Sequence, residues 1–304
     1  MRPPLKAWGA RRLCLCRWVT IASASLVCLA ALLNVLQASC GGGAPGAARL
    51  GHAPWMQRAH VALEPSRRRT FSEIYGKDKW NVGALARDAA TRAGPGSSLH
   101  YTAAARAFLG ALIRNHSIAT VADLSCSEML WQPHIPGFAG LASFSGFDIV
   151  PAAIAAARAN LSALAAQGAA LPAEVVLEVR DMVAEPLPRA YDLVIVRDTF
   201  FHLPVTDALA ALSHIAASGS RLLATTTIDS DALRNTFILP GEWYPLNLRK
   251  PPFLFPEPLA EVVEGVPGAD YYGTKKFAVY RLPLESAAGA PAAEQGSGAA
   301  PGLK

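Results

Sequence analysis

The stretch Ile118-Ala119-Thr120-Val121-Ala122-Asp123-Leu124-Ser125-Cys126-Ser127-Glu128 decides the fold. Residues 118–124 are a short apolar run that carries a carboxylate at Asp123 and gives way to small polar residues. Residues 101–114 just before it have helical composition and spacing, so a helix feeds a buried strand. Downstream the alternation continues. Residues 144–150 form a second run holding Asp148, and Pro151 then opens an Ala-rich helix to about residue 167, proline being suited to a first helical turn. Residues 175–179 precede Arg180-Asp181, and residues 191–196 precede Arg197-Asp198 and a helix over 205–217. Residues 221–227 and 277–282 complete the set. Continuous apolar runs suit strands buried on both faces, and intervening helices call for parallel crossovers. The expected fold is therefore α/β, a doubly wound and mostly parallel sheet.

This domain is expected over residues 70–283, within a chain of 304 residues. Residues 1–69 hold ten Lys/Arg and one acid, leaving eighteen Lys/Arg against twenty-two acids. The basic balance of the whole chain thus belongs to its leader, and no nucleic-acid partner is expected. Within the leader, the basic segment 1–17 precedes an uncharged stretch at 18–40, long enough at ~1.5 Å per helical residue to cross a bilayer. Because the basic flank comes first, the positive-inside rule puts the domain in a lumen or outside the cell. A cleaved signal peptide or an organelle transit peptide is the competing reading. Residues 41–69 read as a flexible stem and 284–304, rich in Ala, Gly and Pro, as a disordered tail. Four of the five cysteines lie in the leader, and no Cys/His spacing suggests a metal site.

In doubly wound sheets, ligands bind at the carboxyl ends of the strands near the switch in strand order. Asp123, Asp148, Asp181 and Asp198 all fall there. One carboxylate can accept both hydroxyls of a ribose; Asp148 is the candidate for that role and Asp181 for an adenine amino group. Each can equally be a turn or cap residue. His202 follows Asp198 by four residues and is suited to act as a base near neutrality. Its bland alternative is packing under the sheet end.

The motifs Phe71-Ser72-Glu73-Ile74-Tyr75 with Trp80, Gly94-Pro95-Gly96-Ser97-Ser98, residues 123–131, Gly146-Phe147-Asp148-Ile149-Val150, Arg197-Asp198-Thr199-Phe200-Phe201-His202-Leu203 and Trp243-Tyr244-Pro245-Leu246-Asn247-Leu248 occur in order. Together they resemble a class I, Rossmann-like methyltransferase family dependent on S-adenosylmethionine. The resemblance implies that S-adenosyl-L-methionine lies against Asp123, Ser125, Cys126, Ser127, Asp148, Ile149, Asp181, Met182 and Arg197. It leaves the acceptor unspecified; the reading adopted is a small-molecule or glycan acceptor reacting through a hydroxyl, with Trp80 and Trp131 toward it, and the position of residues 197–202 after the fourth strand makes His202 and Asp198 the catalytic candidates, Asp198 orienting either the imidazole or the acceptor. One loop departs from the family pattern Asp-x-x-Cys-Gly-Asp: Ser127 stands at the glycine position and Glu128 at the aspartate. A non-glycine residue held at positive φ costs about 1–2 kcal/mol, so a methyltransferase-like domain without catalysis is the alternative. A nucleotide-dependent oxidoreductase is disfavoured, because no Gly-x-Gly-x-x-Gly follows the first strand.

Overall fold

A computed structural model describes residues 54–81, 91–264 and 273–284. Segments 1–17, 18–40 and 41–53, and the tail beyond residue 284, lie outside the described residues. Among those described, no helix is long and apolar enough to cross a membrane.

The sheet has seven strands: β1 (Thr120–Asp123), β2 (Ser143–Asp148), β3 (Glu174–Val179), β4 (Leu193–Val196), β5 (Leu222–Asp229), β6 (Ala260–Val263) and β7 (Thr274–Arg281). Their order is β3-β2-β1-β4-β5-β7-β6. The first five strands pair in parallel, with Ala122 opposite Ser145 on one side and Val194 on the other. β7 inserts antiparallel to both β5 and β6. The architecture is the expected doubly wound, Rossmann-like one, and strand order switches between β1 and β4. That switch opens a crevice at the carboxyl ends of the two strands.

Strand residues alternate between two cores, as a side-chain period of two requires. Val194 and Val196 of β4 face one core together with Leu223 and Tyr280, whereas Leu193 and Ile195 face the other with Leu222 and Val279. The second core receives Leu109 and Leu112 of α2 (Ala103–Asn115) and Ile154, Ala157 and Leu161 of α3 (Pro151–Ala166). Helix α4 (Val205–Ala217) packs on the first core.

Two elements depart from the expected string. Helix α1 runs over Pro54–Gly76, so the segment expected as a stem to residue 69 is helical from residue 54. Its inward stripe, His60, Arg67, Phe71, Ile74 and Tyr75, has helical spacing but begins with polar residues, which hides it from a search for apolar period. Arg67 is 2% exposed and pairs through Nε and Nη2 with Asp181, 2.9 and 2.7 Å away, and more loosely with Asp207 of α4. The second departure is β6, an edge strand too exposed to form an apolar run. Residues 230–259 between β5 and β6 contain no helix or strand, and the sequence predicts none there. Side chains satisfy that backbone instead: Asn235 donates to the Asn247 carbonyl (2.9 Å) and accepts from the Asn247 amide (2.9 Å), and the Leu248 amide donates to Thr227 Oγ1 (3.0 Å).

Candidate cofactor and acceptor site

A cleft with about 850 Å³ of empty space, its open mouth included, lies over the switch point. Its walls come from the ends of β1, β2, β3 and β4, from α1, and from Trp80 and Ser97.

Asp148 stands at the end of β2. Its Oδ2 accepts the Ser127 amide (3.0 Å) and its Oδ1 the Val150 amide (2.9 Å), which turns the carboxylate toward the loop after β1 and leaves further lone pairs on both oxygens. Burial pushes its pKa up to about 6 against the pull of those two amides. Ile149 and Met182 contribute apolar wall to the cleft. Ser125 and Ser127 line the cleft, and Ser127 has φ 47°, the left-handed conformation that the missing glycine would have adopted freely. Met129 in the same loop also has positive φ (56°).

Glu128, the other departure from the family pattern, turns away from the cleft. Its Oε1 accepts the Tyr75 hydroxyl (2.7 Å) and the Arg92 amide (3.1 Å), and its carbonyl accepts Asn160 Nδ2 (2.8 Å). It therefore fastens the loop to α1, to residue 92 and to α3.

Several expected roles are corrected. Asp123 is buried beneath the cleft, where Oδ1 accepts the Ser125 amide (3.1 Å) and Oδ2 accepts Gln132 Nε2 (2.9 Å), so it shapes the loop and does not line the site. Burial raises its pKa to about 6. Cys126 is core: its sulfur packs against Gly146 of β2, where a Cβ would lie 3.0 Å from it, and burial pushes the thiol pKa well up. Trp131 is 5% exposed and covers the Arg197 guanidinium at 5.7 Å, so it supports the site from behind and does not meet an acceptor. Asp181 does line the cleft, but Arg67 occupies its Oδ2 and the Val183 amide its Oδ1 (2.9 Å). Residues 94–98 fold into a tight turn in which the Ser97 and Ser98 amides donate to the Gly94 and Pro95 carbonyls, and the Gly96 carbonyl accepts Arg197 Nη1 (2.9 Å).

Arg197 pairs with an acid. Its Nε donates to Glu264 Oε1 (2.8 Å), while Nη2 is buried without a hydrogen-bond partner among the described residues. Asp198, at φ 55°, accepts Lys275 Nζ on Oδ2 (2.7 Å), and its Oδ1 is likewise buried and unmet. Burial alone would raise the Asp198 pKa, but Arg197 and Lys275 outweigh it and hold the carboxyl well below the usual range. Such a carboxylate is a poor proton acceptor.

His202 sits in the short turn Phe200–His202 ahead of α4 rather than on a helical face shared with Asp198. Its Nδ1 lies 2.9 Å from the Glu242 carbonyl. A carbonyl only accepts, so Nδ1 carries the proton and Nε2 presents a lone pair. The orienting group is thus a backbone carbonyl from residues 230–259, and not Asp198. Burial lowers the His202 pKa, so the ring is neutral at pH 7. Its face packs on Trp80, with centroids 5.0 Å apart. Trp80 lines the cleft, as expected, and Tyr75 and Phe71 wall it from α1.

No protein-family model matches the chain, and no curated protein matches it by sequence. Solved structures do match it. A magnesium protoporphyrin IX methyltransferase from Synechocystis PCC 6803, with bound SAH, covers 71% of this chain and 97% of its own at 16% identity and a TM-score of 0.49. The N-methyltransferase NodS from Bradyrhizobium japonicum WM9, in complex with S-adenosyl-L-homocysteine, covers 70% and 99% at 9% identity and a TM-score of 0.47. In fold, this chain is similar to methyltransferases. The methyltransferase domain of a bacterial Hen1 is a third match, covering 61% of this chain and 99% of its own at 13% identity and a TM-score of 0.45.

Proposed function

We propose that this protein transfers a methyl group from S-adenosyl-L-methionine to a hydroxyl of a small-molecule or glycan acceptor. The observation that carries the reading is the set of unmet polar atoms around one cleft. Asp148 is held by backbone amides alone, with lone pairs left for two ribose hydroxyls. Arg197 Nη2 and Asp198 Oδ1 are a buried donor and a buried acceptor without partners, as the carboxylate and ammonium of an amino-acid moiety require. Apolar Leu124, Ile149, Val150 and Val183 suit an aromatic base.

When bound, the sulfonium supplies an electrophilic methyl, the S–CH₃ bonding pair returning to sulfur as the new O–CH₃ bond forms. His202 Nε2 accepts the proton of the attacking hydroxyl, and the Glu242 carbonyl steadies the resulting imidazolium through Nδ1–H. Asp198, already ionised and pinned, orients the ligand. Calorimetric titration of the protein with S-adenosylhomocysteine and with NAD tests the reading: saturable binding of the first alone is expected, and binding of NAD alone would overturn it.

We further propose that residues 18–40 are a retained membrane span with the domain lumenal or extracellular. Two sequons then meet glycosylation enzymes. Asn115 is exposed at the end of α2, whereas the Asn160 amide lies within α3 and is spent on the Glu128 carbonyl, so a glycan is expected on Asn115 alone. Digestion of the C-terminal domain by protease added to intact vesicles would overturn the lumenal placement.

A further inference from the structure

A second cleft, with about 790 Å³ of empty space including its open mouth, adjoins the first at Trp80, the residue that lines both. One helical face of α1 forms its floor, with Ser66, Arg69, Thr70, Glu73 and Ile74 at successive spacings of three, one, three and one. The opposite wall is the turn Pro240-Gly241-Glu242. That turn is pressed against the helix: Gly241 has φ 85°, and a Cβ on it would lie 2.4 Å from Ile74 Cδ1. The same turn holds His202, through the Gly241 amide on the His202 carbonyl (2.9 Å) and the Glu242 carbonyl on Nδ1. The second cleft thus shares Trp80 with the first and takes one wall from the turn that hydrogen-bonds His202.

Its charges are also informative. Neighbouring basic residues on α1 and the turn after it find carboxylates four residues away: Arg68 pairs with Glu64, and Lys77 with Glu73 at 3.3 Å. Arg69 and Lys79, which line the cleft, have no ion-pair partner among the described residues. Hydroxyls of Ser66 and Thr70 and the carboxylates of Glu73 and Glu242 complete a lining that can both donate to and accept from a polyhydroxylated ligand, beside an aromatic face at Trp80.

We propose that this second cleft is the acceptor subsite, and that the acceptor is an acidic saccharide whose negative group lies between Arg69 and Lys79. The inference rests on the methyl-transfer reading. The reacting hydroxyl sits at His202 in the first cleft, and the rest of the sugar passes over Trp80 into the second. Binding energy gathered at a remote subsite of this kind is what holds an acceptor oxygen in line with the methyl.

The test titrates the full chain, alone and loaded with S-adenosylhomocysteine, with a glucuronate-terminated disaccharide, its neutral glucose-terminated counterpart and an oligoglutamate peptide. The acidic disaccharide is expected to bind about tenfold more tightly than the other two, and the double variant Arg69→Glu, Lys79→Glu to lose that preference without change in S-adenosylhomocysteine affinity. Equal binding of acidic and neutral sugars, stronger binding of the peptide, or a preference that survives the double variant would each overturn the subsite. Failure of S-adenosylhomocysteine to bind would instead overturn the methyl-transfer reading, and the saccharide titrations of the cofactor-free chain would still decide whether the cleft binds acidic sugar.

Discussion

At the residue scale, Asp148 and Ser127 carry opposite expectations. Removing the Asp148 carboxylate by Asp148→Ala withdraws the group proposed to accept the ribose hydroxyls, and S-adenosylhomocysteine binding should weaken by about 2 kcal/mol or more, read by calorimetry. The wild-type affinity should rise with pH through about 6, where this carboxyl ionises, and level off above. Stability should run the other way. Asp123 and Asp148 hold their protons up to about pH 6 when folded but release them near their ordinary value of 3.8 when unfolded. The folded state then binds more protons between those limits, so its stability falls as pH rises from about 4 to 6, which denaturant midpoints across that range will show. Ser127→Gly relieves a left-handed serine and should stabilise the protein by about 1 kcal/mol, with tighter cofactor binding. An unchanged midpoint would mean that Ser127 gains elsewhere what its φ costs.

Elements decide how the proposed base, His202, is held. His202 belongs to a short turn after β4, yet its tautomer is set by residues 240–244, about forty positions later, which also return the Tyr244 amide to the Phe201 carbonyl (3.2 Å). Gly241→Ala forces this turn off α1 and should disturb the imidazole without touching any cofactor contact. It is expected to lower turnover, as His202→Gln does by roughly 10²–10⁴ if the imidazole acts as general base. S-adenosylhomocysteine affinity should stay within about twofold of wild type in both variants, a small fraction of the ~1.4 kcal/mol that marks a tenfold change. Full turnover in His202→Gln would reassign the ring to packing against Trp80.

For the whole molecule, the decisive contact joins α1 to the sheet. Arg67 is enclosed by Asp181 of the cleft wall and Asp207 of α4. Taking away one partner of a buried ion pair typically costs about 3–5 kcal/mol, because the remaining charge is stranded, and Arg67→Met strands two carboxylates. A chain shortened to begin at residue 70, the start of the domain as the sequence alone delimits it, loses this arginine as well. It is expected to unfold at much lower denaturant than one beginning at residue 46. Equal midpoints would show that the first part of α1 is dispensable.

The sequence by itself determined the succession of strands and helices from β1 to β5, because each of those elements shows along the chain as a short apolar run or a helical period. It also placed Asp148 and Asp198 at strand ends over the cleft and singled out Ser127, where a glycine was expected and the backbone does take positive φ. Other features were decided only by tertiary structure. Helix α1 buries His60 and Arg67 among its apolar residues, and the partner that makes Arg67 tolerable there, Asp181, lies 114 residues away. The reversal of β7, the burial of Cys126 and Trp131, and the protonated nitrogen of His202 likewise depend on which distant groups come together. A period is a local property of the chain, whereas the pairing of buried polar groups exists only after the sheet has brought their elements into contact.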